Sequence, residues 1–331
     1  MLDEQGRLLA TSAFPATARG YRRLIDWVER HGAIDRIGVE STGSFAAGLT
    51  RALQAHAIRV VEVNQPHPHA RHRRGKSDPI DAELAARAAL SGLASAVPKD
   101  TRGIVEAIRQ LSVARNGAIK ARSAALCQLE DLVITAPDEL RRDLTARKTL
   151  RGKATLCLAL RPNRASLHEP LHAARLALRS LATRIRELDG EIAQLDGHLE
   201  RLVCTAAPRT TGLLGVGTVH ASQLLVTAGN NIERLHSEAA FARICAAAPI
   251  PASSGRTTRH RLDHGGDRQA NRTLHMIAVC RLRYCDKTRA YAERRTAEGL
   301  NKREIIRCLK RYIAREIYHT LRADLLDLPA A

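Results

Sequence analysis

An α/β domain leading into two mostly helical regions is the fold class that the sequence predicts, and three observations carry it. Short apolar runs alternate with amphipathic helical stretches near the amino end, the middle is almost all helix former, and the carboxyl end is basic with Gly-rich turns. At 331 residues the chain is about twice the length of a common domain, so two or three domains with their own cores are expected. The divisions fall at residues 1–120, 121–204 and 205–331.

In order, residues 8–14 have strand composition, 17–31 form an amphipathic helical pattern and 36–40 are a short apolar strand. A helix over 44–56 follows, then a buried strand over 58–63 (IRVVEV), a basic loop, and a helix beginning near Pro79. This strand-helix alternation is what makes the first region an α/β sheet domain.

From about residue 102 to 204 the helical pattern is broken only by Pro137 and Pro162. Its last stretch carries a seam: Leu171, Leu178, Leu181, Ile185, Leu188, Ile192, Leu195, Leu199 and Leu202 advance by threes and fours apart from one full-heptad step. A seam sustained that long predicts a coiled coil or a long helical hairpin. The third region holds 21 Lys and Arg against 11 Asp and Glu, which marks it as a main nucleic-acid face.

Charge narrows the function. With 53 Lys and Arg against 34 acids the formal charge is +19, and counterion release makes a polyanion the natural partner. Nine aromatics (three Phe, five Tyr, one Trp) are too few for a groove that stacks successive bases, so backbone contacts to duplex DNA or structured RNA are expected. No stretch approaches the roughly 18 apolar residues of a membrane span, and Asp3 and Glu4 spoil a signal peptide, so a cytoplasmic protein off the membrane is expected. Seven scattered cysteines without a C-x-x-C pair are expected as reduced thiols, with neither zinc nor disulfides.

Several residues stand where chemistry is done. Glu40 closes the strand RIGVE at its carboxyl end, where α/β sheets place their sites; the plain alternative is a solvated strand-end glutamate. Asp78 and Asp81, three apart at a helix start, can turn both carboxylates one way and share Mg²⁺. They also fit a capped helix with Asp78 as N-cap, Pro79 at N1 and Asp81 at N3. The preceding loop, with Arg71, Arg73, Arg74 and Lys76, is either a phosphate or RNA contact or a solvated charge run.

In the third region, Gly215 and Gly217 belong to a stretch like a helix-hairpin-helix, whose turn offers backbone amides to a phosphate. Farther on, Ser253 and Ser254 precede Arg256, Arg259, Arg261, Arg268 and Arg272. A hydroxyl among cations suits attack on a phosphodiester, which keeps the bond energy in a covalent link; the alternative is an ordinary Ser-Gly loop on a DNA-binding surface.

Read together, GVEST, KSDPIDAELAARA, GVGTVHA and APIPASSGRTTRHRLDHGGDRQANRTL resemble the insertion sequence 110 family of transposases, DEDD-type RNA-guided recombinases, in order and spacing over most of the chain. The resemblance implies an amino-terminal RuvC-like domain of RNase-H fold, a helical coiled-coil linker and a carboxyl-terminal transposase domain with an essential serine. Glu40, Asp78 and Asp81 match the acidic motif, and the serine falls at Ser253-Ser254, with Ser254 favoured. It further implies a divalent metal, a structured guide RNA, double-stranded DNA as substrate and a homo-oligomer, dimer or tetramer. One departure is that the family's first aspartate lies on an opening strand upstream of an L-D-x-x-G turn, whereas this sequence starts at MLDEQG, with Asp3 in that turn. The expectation is therefore a sheet lacking its first strand. Two other readings remain: a junction-resolving nuclease that activates water, and an inactive form that only binds nucleic acid.

Overall fold

The computed structural model describes residues 1–63, 77–255, 259–261 and 263–328, and most of them are helical. The chain divides into two compact units, one of residues 1–106, 212–216 and 224–331, the other of residues 107–211 and 217–223.

The first unit starts with a turn, not the strand expected over 8–14. Asp3 and Arg7 close it by backbone and side-chain bonds, Gly6 supplies a φ of +78°, and one bridge joins Leu2 to Leu8. Leu8 and Leu9 stay half exposed, so these residues have no buried face to lay on a sheet. Helix α1 (Ala18–Glu29) is capped by Thr17, whose hydroxyl accepts from Gly20 N–H at 3.1 Å. Strand β1 (Ile37–Glu40), helix α2 (Ala47–Ala55) and strand β2 (Val60–Val63) form a β-α-β unit whose strands pair in parallel, Ile37 with Val60 through Glu40 with Val63. Helix α2 starts three residues later than its pattern suggests, because Ser41 takes a left-handed φ of 56° and residues 41–46 turn on themselves. Ile25, Val39, Leu53 and Val60 make the core between sheet and helices.

In helix α3 (Asp78–Leu90) the N-cap position falls on Ser77, in extended conformation and without a side-chain capping bond, and not on Asp78, which becomes the first helical residue. The helix runs antiparallel to β1. Arg36 reaches Ala89 O at 3.5 Å, and a Cβ on Gly38 would come within 2.5 Å of Ala85 O.

The carboxyl-terminal part of this unit packs α10 (Glu238–Ile244), α11 (Arg268–Tyr284) and α12 (Asp286–Ala297) around α13 (Lys302–Leu326). Between α10 and α11 lies a two-residue hairpin of β3 (Ile250–Pro251) and β4 (His260–Arg261). Helix α13 buries Ile305, Leu309, Ile313, Ile317 and Leu321 on one face, and its start is a full capping box of Asn301 and Glu304.

The segment 97–100 binds this helical part to the sheet. Asn231 donates to Pro98 O at 3.0 Å and accepts from Asp100 N–H at 3.0 Å, Arg234 donates to Val97 O at 3.0 Å and Ala228 O at 2.7 Å, and Lys99 donates to Val226 O at 2.8 Å. Burial lowers the Arg234 pKa, opposed by the charges of Glu62 and Glu233.

The second unit is helical. Helix α4 (Gly103–Thr135), which enters it from the first unit, and α7 (Pro170–Ala206) run antiparallel, tied by the ion pairs Arg115–Asp196 and Arg122–Asp189. The pairs are one heptad apart on both helices. On α7 the buried positions Leu178, Ile185, Ile192 and Leu199 keep the heptad, while Leu171, Leu181, Leu188, Leu195 and Leu202 are only partly covered. Helices α5 (Asp138–Thr145) and α6 (Leu150–Leu158) complete its core with Leu140, Leu144 and Cys157 against Leu129 and Leu178. Burial pushes the Cys157 thiol up to about 11. Among the described residues no helix is long and apolar enough to cross a membrane.

Replacing Asn231 by Ala leaves the backbone groups of residues 98 and 100 without their side-chain partner. Urea unfolding should show a loss of about 2 kcal/mol, and proteolysis should cut near residues 96–100 sooner than in the parent; unchanged cleavage there would show that the bonds do not hold the segment.

Candidate functional site

The carboxylates come to one end of the sheet through Gly38. With α3 seated against β1 at Gly38, two residues along the strand match four along the helix, since ~6.6 Å of extended chain equals about one helical turn. Arg36 reaches Ala89 O and Gly38 lies against both Ala85 and Ala89, so the amino end of α3, which carries Asp78 and Asp81, lies toward the Glu40 end of β1. Glu40 is half-buried, with Oε1 shielded from solvent, Asp81 is half-buried, and Asp78 is exposed one turn nearer the helix start. Among the described residues no group of three or more His, Cys, Asp or Glu side chains gathers as a metal cage requires. The three carboxylates therefore fit a cation only in part.

Arg71, Arg73, Arg74, Lys76 and Arg256 lie outside the described residues. Sequence reasoning passed over Glu62, which is bonded by the buried Thr42 hydroxyl at 2.7 Å and stands across β1 from Val39. A charged residue inside the buried run VVEV was the available signal.

Gly215 and Gly217 differ. Gly215, with φ +85°, lies against α11, where an added Cβ would meet Cys280 and Ile277 at 3.4 Å, and Arg281 donates to the neighbouring Leu214 O at 2.9 Å. Gly217 has open space at its Cβ position. Helices α8 (Pro208–Thr211) and α9 (Thr218–Ala228) flank this turn, α8 only four residues long.

Ser253 and Ser254 follow β3 in the hairpin and are exposed. The Ser253 hydroxyl oxygen accepts from Arg259 N–H at 3.3 Å and Ala252 N–H donates to Arg259 O at 2.8 Å, so Ser253 is part of the closure of the hairpin. Ser254 is exposed and takes part in a β-bridge of the hairpin. Arg259 and Arg261 flank the serines on the return strand. Arg268 and Arg272 are exposed on the first turns of α11, whose N-cap Asp267 accepts from Gln269 and Ala270 N–H and from Thr227 Oγ1 at 2.7 Å. The described residues record no contact between the serine hairpin and Glu40, Asp78 or Asp81, although both belong to the first unit.

A second group passed over in the sequence lies beside the hairpin. Lys310 is buried on the inner face of α13 and donates to Asn271 Oδ1 at 2.9 Å, with the Asn271 amide nitrogen bonded to Cys245 O and Ala246 O. Burial lowers the Lys310 pKa, and the charges of Arg307 and Arg268 lower it further. A lysine one residue after Leu309, on the face of the apolar stripe, was the signal that helical periodicity contained.

Two family profiles match the chain. The first, described as a transposase of the DEDD IS110 type, covers residues 1–135, and the second, described as Transposase IS116/IS110/IS902 family, covers residues 209–293. The matched segments hold the carboxylate end and the serine hairpin respectively. No curated protein matches the chain.

Two substitutions test this geometry. Gly38→Ala forces α3 off β1 and should cost about 2 kcal/mol in urea unfolding; a change near zero would mean that the helix is not seated on that glycine. Ser253→Ala should lower stability by about 1 kcal/mol in urea unfolding through the lost hairpin bond; an unmoved curve would mean that the bond does not hold the hairpin.

Proposed function

Given that the chain belongs to the IS116/IS110/IS902 family of transposases, we propose that it cuts and rejoins DNA strands through a covalent serine–DNA intermediate, with Ser254 as nucleophile. The observation that carries this reading is the exposed serine hairpin with Arg259 and Arg261 on its return strand, inside the second matched segment. Transposase function at the level of the family, and with it chemistry on DNA, comes from the two matches themselves.

In the proposed reaction the Ser254 oxygen bonds to phosphorus while one bridging P–O bond breaks. The hydroxyl proton passes to a base and the departing strand takes up a proton as a free hydroxyl. Strand exchange reverses these steps with the hydroxyl of another strand, so phosphodiesters are conserved and water takes no part. Arg259, Arg261, Arg268 and Arg272 supply the charge that holds the strand and offsets the negative charge growing on the non-bridging oxygens.

The remaining parts follow the resemblance. The parallel β-α-β unit with α3 on its face supports an RNase-H-like, RuvC-type domain over residues 1–120, the α4–α7 pair supports a coiled-coil region over 121–204, and the transposase domain takes 205–331. Mg²⁺ is the cation proposed at Glu40, Asp78 and Asp81, where it would neutralise phosphate charge; since those side chains do not by themselves form a cage, no step is assigned to it. A structured RNA guide, for which the loop with Arg71, Arg73, Arg74 and Lys76 is the candidate contact, and a homo-oligomer, dimer or tetramer, complete the proposal.

The direct test is to incubate the protein with its flanking noncoding RNA, labelled element-end DNA and Mg²⁺, and to separate the products on a denaturing gel. A protein–DNA adduct is expected from the parent and from Ser253→Ala once its folding is verified, and none from Ser254→Ala. Free cut ends without an adduct, unaffected by Ser254→Ala, would replace the serine mechanism with water-mediated cleavage.

A further inference from the structure

The chain treats two buried lysines in opposite ways. Lys153, 8% exposed, is held by both carboxylate oxygens of Glu130 at 2.6 and 2.7 Å. Lys310, 5% exposed, has one bond, to the amide oxygen of Asn271, and no carboxylate partner among the described residues. An ammonium group carries three donors, and a buried charge without a counter-charge is strongly unfavourable.

Lys310 lines a cavity of about 750 Å³ bounded by α12, α13, the chain after α10 and strand β4. Eight Lys and Arg residues line it against three acidic ones, so the lining is positive in excess even with the Asp263 Oδ2 buried and without a hydrogen-bond partner among the described residues. Glu238 pairs with Arg311 at 3.3 Å and Arg315 at 2.9 Å, Glu304 closes its capping box, and Asp263 accepts from Gly265 N–H at 2.9 Å. Lys310, Arg259 and Arg261 are left with no ion pair among the described residues. The positive excess is thus concentrated on one concave surface.

We propose that this cavity is a phosphate site and that its ligand is a phosphodiester of the DNA strand worked on at the Ser253–Ser254 hairpin. At about 750 Å³ the cavity has room for more than a free ion, within the ~300–1,000 Å³ of sites that hold whole organic ligands. Arg259 joins the cavity to the hairpin: its backbone N–H donates to Ser253 Oγ, and the residue is part of the cavity lining. A phosphate here supplies the counter-charge that Lys310 lacks and fixes the strand relative to the serines. The identity of the strand rests on the recombinase reading above; the binding of phosphate does not.

The experiment uses inorganic phosphate as the probe and the full chain as the protein. Thermal melting in sodium phosphate and in sodium chloride of equal ionic strength should show a higher Tm in phosphate, with the shift lost in Lys310→Met and reduced in Arg261→Gln. Arg261 is exposed, so its replacement keeps the test usable if Lys310→Met does not fold. No phosphate-specific shift in the parent, or one that survives in both variants, overturns the site. Salt titration of duplex DNA binding then identifies the source, with Lys310→Met or Arg261→Gln expected to flatten the slope by about one ion. Flattening seen with RNA and not with DNA overturns the DNA assignment. Phosphate binding without any strand exchange overturns the recombinase reading and leaves the site standing.

Discussion

Backbone groups of residues 97–100, which lie in no helix or strand, must find partners, and they find them on the carboxyl-terminal helices. Asn231 and Arg234 provide most of these bonds, and the rest of the first unit depends on them. The connection continues both ways. Toward the sheet, Ala96 O accepts from Glu62 N–H at 2.8 Å, Glu62 is held by Thr42, and its charge offsets the burial of Arg234. Toward the helices, Leu235 O accepts from the buried Tyr318 hydroxyl at 3.1 Å, which fixes α13. Residues more than two hundred positions apart in sequence therefore share one packed body, and the helix bearing Lys310 is indexed against the sheet bearing Glu40.

Charge is distributed by the same logic. In the second unit three cations are matched between helices: Arg115 with Asp196, Arg122 with Asp189, Lys153 with Glu130. Such pairing fixes the relative register of two long helices, a specificity role more than a large stabilising one. In the first unit the cations beside the serine hairpin are left for something else. The net charge of +19 is carried by both units, and beside the serine hairpin part of it is concentrated on one concave surface.

Part of this was legible along the chain. The βαβ order, the helix after Pro79 and the heptad of α7 came from periodicity, because strands bury every second residue and helices every third or fourth. The segment 8–14 misled because composition resembles a strand whether or not a sheet edge receives it; here the residues close a turn and keep Leu8 and Leu9 half exposed. At Ser77 the boundary moved by one, since whether Ser77 or Asp78 takes the extended cap conformation is a backbone decision that two good capping residues in succession do not settle.

The sequence by itself determined which residue types were present for chemistry on a phosphodiester: the acids Glu40, Asp78 and Asp81, the paired serines, the excess of arginine, and the family order of the motifs. These are local or one-dimensional properties, set by adjacent residues and their spacing. Only the tertiary structure decided which of them meet. It seated α3 on β1 through the missing side chain of Gly38, gave the Ser253 hydroxyl to the hairpin, and set Lys310 of α13 at the cavity that Arg259 shares. Each of those outcomes depends on contacts between distant segments, whose energies are fixed by packing and desolvation and are not written in the order of the residues.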